Sequence, residues 1–221
     1  MSTEHQLLSE LLRPQQLGDL TLPQRDIERL QGMVSAGQIM NMIFCGLPGV
    51  GKTSTANILI KLLDADSLTL NGSADTGISH IREVVGSFAN SVSMTGSPKI
   101  CFIDDADFLS KNAQAAQRQL IEMTSDNCRY MFTVNEIRKI DPAIRSRMQC
   151  LCFDILPTDR PDVLRRMNAN YEAKLAALGI RCPKKRLTEI IGIYFPDFRR
   201  IATQIQWEFG LPHSKAEATI V

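Results

Sequence analysis

The segment Gly46-Leu47-Pro48-Gly49-Val50-Gly51-Lys52-Thr53 constrains this chain more than any other. It has the spacing G-x-x-x-x-G-K-[ST], with an apolar run over residues 39–45 before it and a helical pattern over 52–63 after it. Glycines at such a turn let backbone N–H groups point inward around phosphate oxygens with no Cβ in the way. The helix behind the turn presents the positive end of its dipole to the same group. Gly46, Gly49, Val50 and Gly51 form the cradle, Ser54 follows within the first helical turn, Lys52 reaches the outer phosphates and the Thr53 hydroxyl ligates Mg²⁺. A Gly-rich strand-to-helix turn with no ligand is the alternative reading. Either way, strand, loop and helix follow one another directly, as in α/β folds.

The rest of the chain repeats that alternation. The alternating Ser67-Leu68-Thr69-Leu70 and the largely apolar runs at 100–103, 130–134 and 150–153 read as strands. Helical spacing covers 23–35, 78–91, 112–123 and 142–147. The strands are too apolar to be half exposed, which predicts a five-stranded parallel sheet covered on both faces. After Pro157 only helical patterns remain, at 160–178, 183–194 and 197–209. Residues 159–200 hold ten Lys/Arg and five Asp/Glu, so this segment carries +5 in a chain of net charge +1. The expected division is an α/β nucleotide-binding domain over 1–156, a basic three-helix domain over 157–210 and a loose tail over 211–221.

With 44% apolar and 22% charged residues, the 221-residue chain has the composition of a globular protein. The near-neutral balance excludes a generally basic coat for nucleic acid, though not a local patch. No window approaches the continuous apolar length of a membrane span, and the polar start Met1-Ser2-Thr3-Glu4-His5 lacks signal-peptide character. A cytoplasmic protein with no membrane partner is expected. Six cysteines, at 45, 101, 128, 150, 152 and 182, form no C-x-x-C pair and read as ordinary thiols rather than a zinc site.

Four further elements bear chemistry. Ile100-Cys101-Phe102-Ile103 ends in Asp104-Asp105, an apolar strand delivering carboxylates to the edge that carries the phosphate loop. Asp104 is placed to hold Mg²⁺ and Asp105 to polarise an attacking water. Asn135 closes the strand ending Thr133-Val134 and is placed to orient that water, unless it is an ordinary turn residue. Arg147 ends a short helix, either as a plain C-terminal charge or as a group projecting onto a neighbouring subunit's γ-phosphate. Arg199 opens the last basic helix, where a solvated charge pair is the alternative.

In this order the elements resemble the AAA+ ATPases of sliding-clamp loaders, most closely the replication factor C small-subunit type and especially its tailed-bacteriophage version. The likeness spans residues 7–209. It includes Leu12-Arg13-Pro14 and Leu22-Pro23 near the start, Asn71-Gly72-Ser73-Ala74-Asp75 with Gly77-Ile78 and Arg82, and Ala113-Gln114 with Arg118 and Glu122. Ser146-Arg147-Met148 resembles the arginine-finger motif and Phe195-Pro196-Asp197-Phe198-Arg199 the sensor 2 segment. The resemblance implies an ATP hydrolase that opens a sliding clamp and places it on primed DNA. ATP and Mg²⁺ are its cofactors, other loader subunits complete a ring-like oligomer, and the setting is a phage-infected or bacterial cytoplasm. It implies adenine contacts from Leu11, Leu12, Arg13 and Thr21, a sensor 1 role for Asn135, a trans-acting finger in Arg147 and a γ-phosphate contact from Arg199. Sequence-independent duplex or primer–template contact is implied at Thr76, Gly77, Ile78, Lys111, Asn112 and Gln114, on the N-terminal turns of two helices.

Two departures qualify that resemblance. Asp105 stands where the family carries Glu, one methylene longer, so hydrolysis is expected to be slow outside a closed assembly. The family continues into a helical collar, whereas this sequence stops at Val221. An ATP-binding scaffold subunit with little hydrolysis, or another AAA+ DNA-remodelling motor, are the alternative functions.

Overall fold

A computed structural model describes residues 7–74, 77, 81–93 and 96–210. The chain packs as two units, Arg25–Leu47 with Lys52–Asp154, and Met1–Gln24 with Pro48–Gly51 and Ile155–Val221.

The larger unit is built on strands β1 (Met42–Cys45), β2 (Asp66–Asn71), β3 (Lys99–Asp104), β4 (Cys128–Val134) and β5 (Gln149–Cys152). Their spatial order is β2-β3-β4-β1-β5 and every pairing is parallel. β1 is buried at all four positions, and β3 and β4 are almost wholly so, as runs covered on both faces must be. The outer strands β2 and β5 carry the exposed positions. Helix α2 (Gln24–Ser35) precedes β1, and helices α3 (Lys52–Leu62), α4 (Gly86–Asn90), α5 (Lys111–Met123) and α6 (Pro142–Arg145) connect the strands; a short helix α1 (Leu8–Leu11) lies near the start of the chain. Ile43, Cys45, Cys101, Ile103, Tyr130, Phe132 and Val134 project from one sheet face onto Val85, Ala113, Ala116, Ile121 and Ile144. Each fully buried Phe or Ile in this layer contributes about 1.5–3 kcal/mol.

The five-stranded parallel α/β sheet is the one the alternating pattern predicts. The continuous helix predicted over 78–91 differs in its described part. A wide π-type turn occupies Ile81–Val85 and passes into α4 at Gly86, which lies against Leu120 and adds no side chain there. β1 begins only at Met42, because Asn41 turns its side chain to accept from the Tyr130 amide at 3.0 Å.

The second unit contains α1, a 3-10 turn Leu17–Asp19, the loop Pro48–Gly51 and helices α7 (Arg160–Ala177), α8 (Lys184–Tyr194) and α9 (Phe198–Phe209). Leu8 and Leu12 join Met167, Tyr171, Leu175, Ile190, Ile191, Ile201 and Ile205 in one apolar cluster. This is why residues 7–24 group with the C-terminal helices, across the boundary the sequence drew at 156. Buried Asp19 ties the segment down: it accepts from the Gln15 amide at 2.9 Å, Asn170 Nδ2 at 2.8 Å and Lys174 Nζ at 2.8 Å. Burial raises the Asp19 carboxyl's pKa, but these donors outweigh it and hold the group below its ordinary value. The tail over 211–221 lies outside the described residues.

Candidate functional site

The carboxyl ends of β1, β3 and β4 lie side by side, because all three strands are parallel and in register. That edge is where an α/β sheet gathers ligand-binding groups. β1 ends at Cys45 and the chain turns through Gly46, Gly49 and Gly51 at φ 151°, 81° and 100°, backbone that glycine adopts without strain. α3 then begins at Lys52, and its first-turn N–H groups have no intrahelical acceptors.

Lys52 is 6% exposed, and its ammonium donates to Gly46 O at 2.8 Å, Leu47 O at 2.9 Å and Asn135 Oδ1 at 2.9 Å. A buried charge needs such partners, and these are acceptors that phosphate oxygens can replace. Thr53 Oγ1 donates to Asp104 Oδ1 at 2.8 Å. The same oxygen accepts from Thr133 Oγ1 at 2.5 Å, and Thr133 in turn accepts from the Asp105 amide at 2.8 Å. The hydroxyl of Thr53 and the carboxylate of Asp104 form an oxygen-only donor set, which fits a hard cation such as Mg²⁺.

Asp105 stands at φ 53°, in left-handed backbone. Asp and Asn occupy that region far more readily than longer or branched residues do. Beneath the turn, a Cβ on Gly72 would lie 2.5 Å from Asp105 O, so glycine alone fits there. Asn135 Nδ2 donates to Asp105 Oδ1 at 3.4 Å. Burial pushes the Asp105 carboxyl above its ordinary pKa, and the charges of Asp104 and Asp107 add to the rise. The edge thus joins a buried ammonium, an oxygen pair suited to a hard cation and a carboxylate of raised proton affinity held next to an amide.

Ser54 is buried within α3. Arg147 lies on the surface, donating to Ala143 O at 2.6 Å and pairing with Glu122 Oε1 at 2.6 Å. Lys111 and Asn112 are exposed on the first turn of α5, which Ser110 caps by accepting from Ala113 N at 3.2 Å. Gln114, expected at a DNA contact, is only 5% exposed: it donates to Leu109 O and Lys139 O and accepts from Asp141 N at 2.8 Å, so its amide braces α5 against the following loop. Gly77 is exposed; Thr76 and Ile78 lie outside the described residues.

In the second unit, Thr21 Oγ1 donates to Val50 O at 3.1 Å. Phe198 N donates to Gly49 O at 2.9 Å, and a Cβ on Gly49 would clash with Asp197 Oδ1. Asp197 caps α9, accepting from the amides of Arg199 and Arg200, and the Arg199 side chain is exposed. Leu12 is a core residue of the apolar cluster, Leu11 packs against that cluster, and Arg13 pairs with Glu10 at 2.9 Å. Sequence reasoning missed Thr133, Gly72 and the pairing of Glu122 with Arg147. The polar Thr133 inside an otherwise apolar strand was the one available signal.

The model of the ATPase family associated with various cellular activities (AAA) matches residues 42–153. The replication factor C small subunit of Archaeoglobus fulgidus is 32% identical over 203 residues, covering 89% of this chain and 62% of that protein. The protein of the same name from Methanoculleus marisnigri is 30% identical over 212 residues, covering 93% and 64%. The chain therefore spans under two thirds of the length of these relatives. Among solved structures, the RuvB Holliday junction branch migration motor of Thermotoga maritima aligns with a TM-score of 0.55 at 18% identity, covering 90% of this chain and 73% of that one. At that identity it speaks for the fold alone.

Proposed function

Because the chain belongs to the AAA family of ATPases, we propose that it is an ATP-hydrolysing subunit of a sliding-clamp loader, one that opens the clamp and places it on primed DNA. The observation that carries the reading is the joining of Lys52, Asn135 and Asp105, and of Thr53 and Asp104, on one sheet edge. The similarity to replication factor C small subunits supports the choice of machine.

In this reading Lys52 exchanges the carbonyls of Gly46 and Leu47 for phosphate oxygens, staying paired as a buried ammonium must. Thr53 and Asp104 hold Mg²⁺, which neutralises phosphate charge when bound. Asp105 and Asn135 orient the attacking water, and the raised proton affinity of Asp105 suits it to draw on that water's proton. Arg147 leaves Glu122 and serves the γ-phosphate of a neighbouring subunit. Arg199 is read as sensor 2, and Leu11, Leu12, Arg13 and Thr21 belong to the segment assigned to the adenine. Partners are the clamp, other loader subunits and primer–template or duplex DNA, met without sequence preference around Gly77, Lys111 and Asn112. Residues 1–156 and 157–210 act as nucleotide-binding and lid domains. Among the described residues no helix is long and apolar enough to cross a membrane.

ATP turnover measured with and without the sliding clamp and primed DNA tests the proposal. A rise that needs both is expected. Tight ATP binding with turnover indifferent to both would instead identify a scaffold subunit or a different motor.

A further inference from the structure

Three thiols meet at the edge of the sheet. Cys45 is the last residue of β1, directly before Gly46, and β5 pairs with β1 so that Cys152 lies opposite Cys45 and Cys150 opposite Ile43. Side chains two apart on a strand share a face, and so do register partners on adjacent strands. The pairing therefore delivers Cys45, Cys150 and Cys152 to one face. Their sulfurs lie 2.7 Å (Cys45 to Cys152), 3.4 Å (Cys45 to Cys150) and 3.7 Å (Cys150 to Cys152) apart. Among the described residues this is the one group of three or more His, Cys, Asp or Glu side chains able to converge on a single ion.

Hydrophobic packing does not account for the arrangement. Cys45 is buried, but Cys150 and Cys152 are exposed, and exposed thiols gain nothing from close packing. Cys101 and Cys128, by contrast, are fully buried in the sheet and have the ordinary role of small apolar residues.

We propose that Cys45, Cys150 and Cys152 form a three-thiolate site for a thiophilic d¹⁰ cation of the zinc class, one residue ahead of the phosphate loop. Soft thiolates select such ions over Mg²⁺ or Ca²⁺. Two thiolates on one tetrahedral zinc, each at about 2.3 Å, stand about 3.8 Å apart. The Cys150–Cys152 spacing already matches, Cys45–Cys150 opens by a few tenths of an ångström, and the Cys45–Cys152 pair opens by about 1 Å. Rotation about the single χ1 of exposed Cys152 supplies that movement. The two exposed thiols leave the fourth position open to water or an incoming ligand. Each cysteine gives up its thiol proton to solvent as it coordinates, and no redox step is involved. A bound ion would tie β5 to the end of β1 that carries Gly46. Nothing in this inference depends on the clamp-loader reading.

The full chain, reduced and kept free of oxygen, is titrated with Zn²⁺ and Cd²⁺. Retention is read by native mass spectrometry and chelator competition, and Cd²⁺ ligation by thiolate-to-metal charge-transfer absorption. One ion per chain is expected, saturating at one equivalent and raising the melting temperature. Cys150→Ser/Cys152→Ser removes the absorption and the retained ion, whereas Cys182→Ser leaves both unchanged. Equal retention by the double variant overturns the proposal. So does the absence of a stoichiometric complex, including the case where Cys45 and Cys152 prove joined as a disulfide by peroxide or air.

Discussion

Lys52 Nζ donates to Asn135 Oδ1 at 2.9 Å, joining the cation of the phosphate loop to the amide at the end of β4. The two residues are separated by most of the sheet in sequence, and the parallel β1–β4 register brings them together. Asn135 also reaches Asp105 at 3.4 Å, so one amide connects the buried Lys52 ammonium with the Asp105 carboxylate.

Replacing Asn135 with Ala should therefore separate binding from chemistry. Lys52 remains free to exchange its two loop carbonyls for phosphate oxygens, so ATP affinity should change little. Turnover should fall by about 100-fold, the scale for removing one positioned polar group from a transition state. Calorimetry for affinity and steady-state turnover for rate would check the split.

Asp105 makes a pH prediction. Its proton affinity is raised by burial first and by Asp104 and Asp107 next, so the active carboxylate is lost at a higher pH than for an ordinary aspartate. Turnover should drop on the acid side with a midpoint above the usual 3.8. Asp105→Asn should lower turnover about 100-fold or more and abolish that acid limb while keeping ATP binding. A pH–rate profile of both proteins measures this.

Gly72→Ala should damage the site from below. The added Cβ would meet Asp105 O at 2.5 Å and Ala106 Cα at 3.2 Å, and both are backbone atoms that cannot rotate away. A stability loss of about 1–3 kcal/mol is expected. Denaturant unfolding reads the loss, and turnover should fall more than stability alone explains.

Much of this was legible in the sequence, for reasons local to each segment. The phosphate loop announces itself because its glycines and lysine must occur at fixed spacing beside a strand and a helix. β1, β3 and β4 were legible because both faces are buried, which leaves nearly uninterrupted apolar runs, whereas the outer strands β2 and β5 are partly exposed. Leu8–Leu11 was not legible, since four residues are too few for a helical period. The burial of Gln114 was not legible, because its residue type suits a surface helix turn and only the fold shows Leu109, Lys139 and Asp141 around it. The three-cysteine cluster was invisible because strand register, not spacing, assembles it.

Asp19 ties residues 7–24 to α7, and Asp19→Ala should cost about 1–3 kcal/mol, the scale for leaving its partly buried donors without their acceptor. Its folded-state pKa is depressed, so the carboxylate's contribution is present above the ordinary aspartate range and is lost as pH falls through the folded value. Acid unfolding followed by circular dichroism should show the wild type losing its advantage over the variant in that window.

Arg147 and Glu122 form an exposed ion pair at 2.6 Å, worth little to stability. Arg147→Ala should leave melting and ATP affinity unchanged and remove only the turnover that depends on assembly. Mixed wild-type and variant subunits, assayed with clamp and primed DNA, would check this.

Calorimetric titration of the full chain with ATP and Mg²⁺, beside the same titration of Lys52→Ala, tests the central claim most directly. One nucleotide per chain for the wild type, with affinity lost in the variant, is the predicted result. Equal binding by both proteins, or none by the wild type, would contradict it.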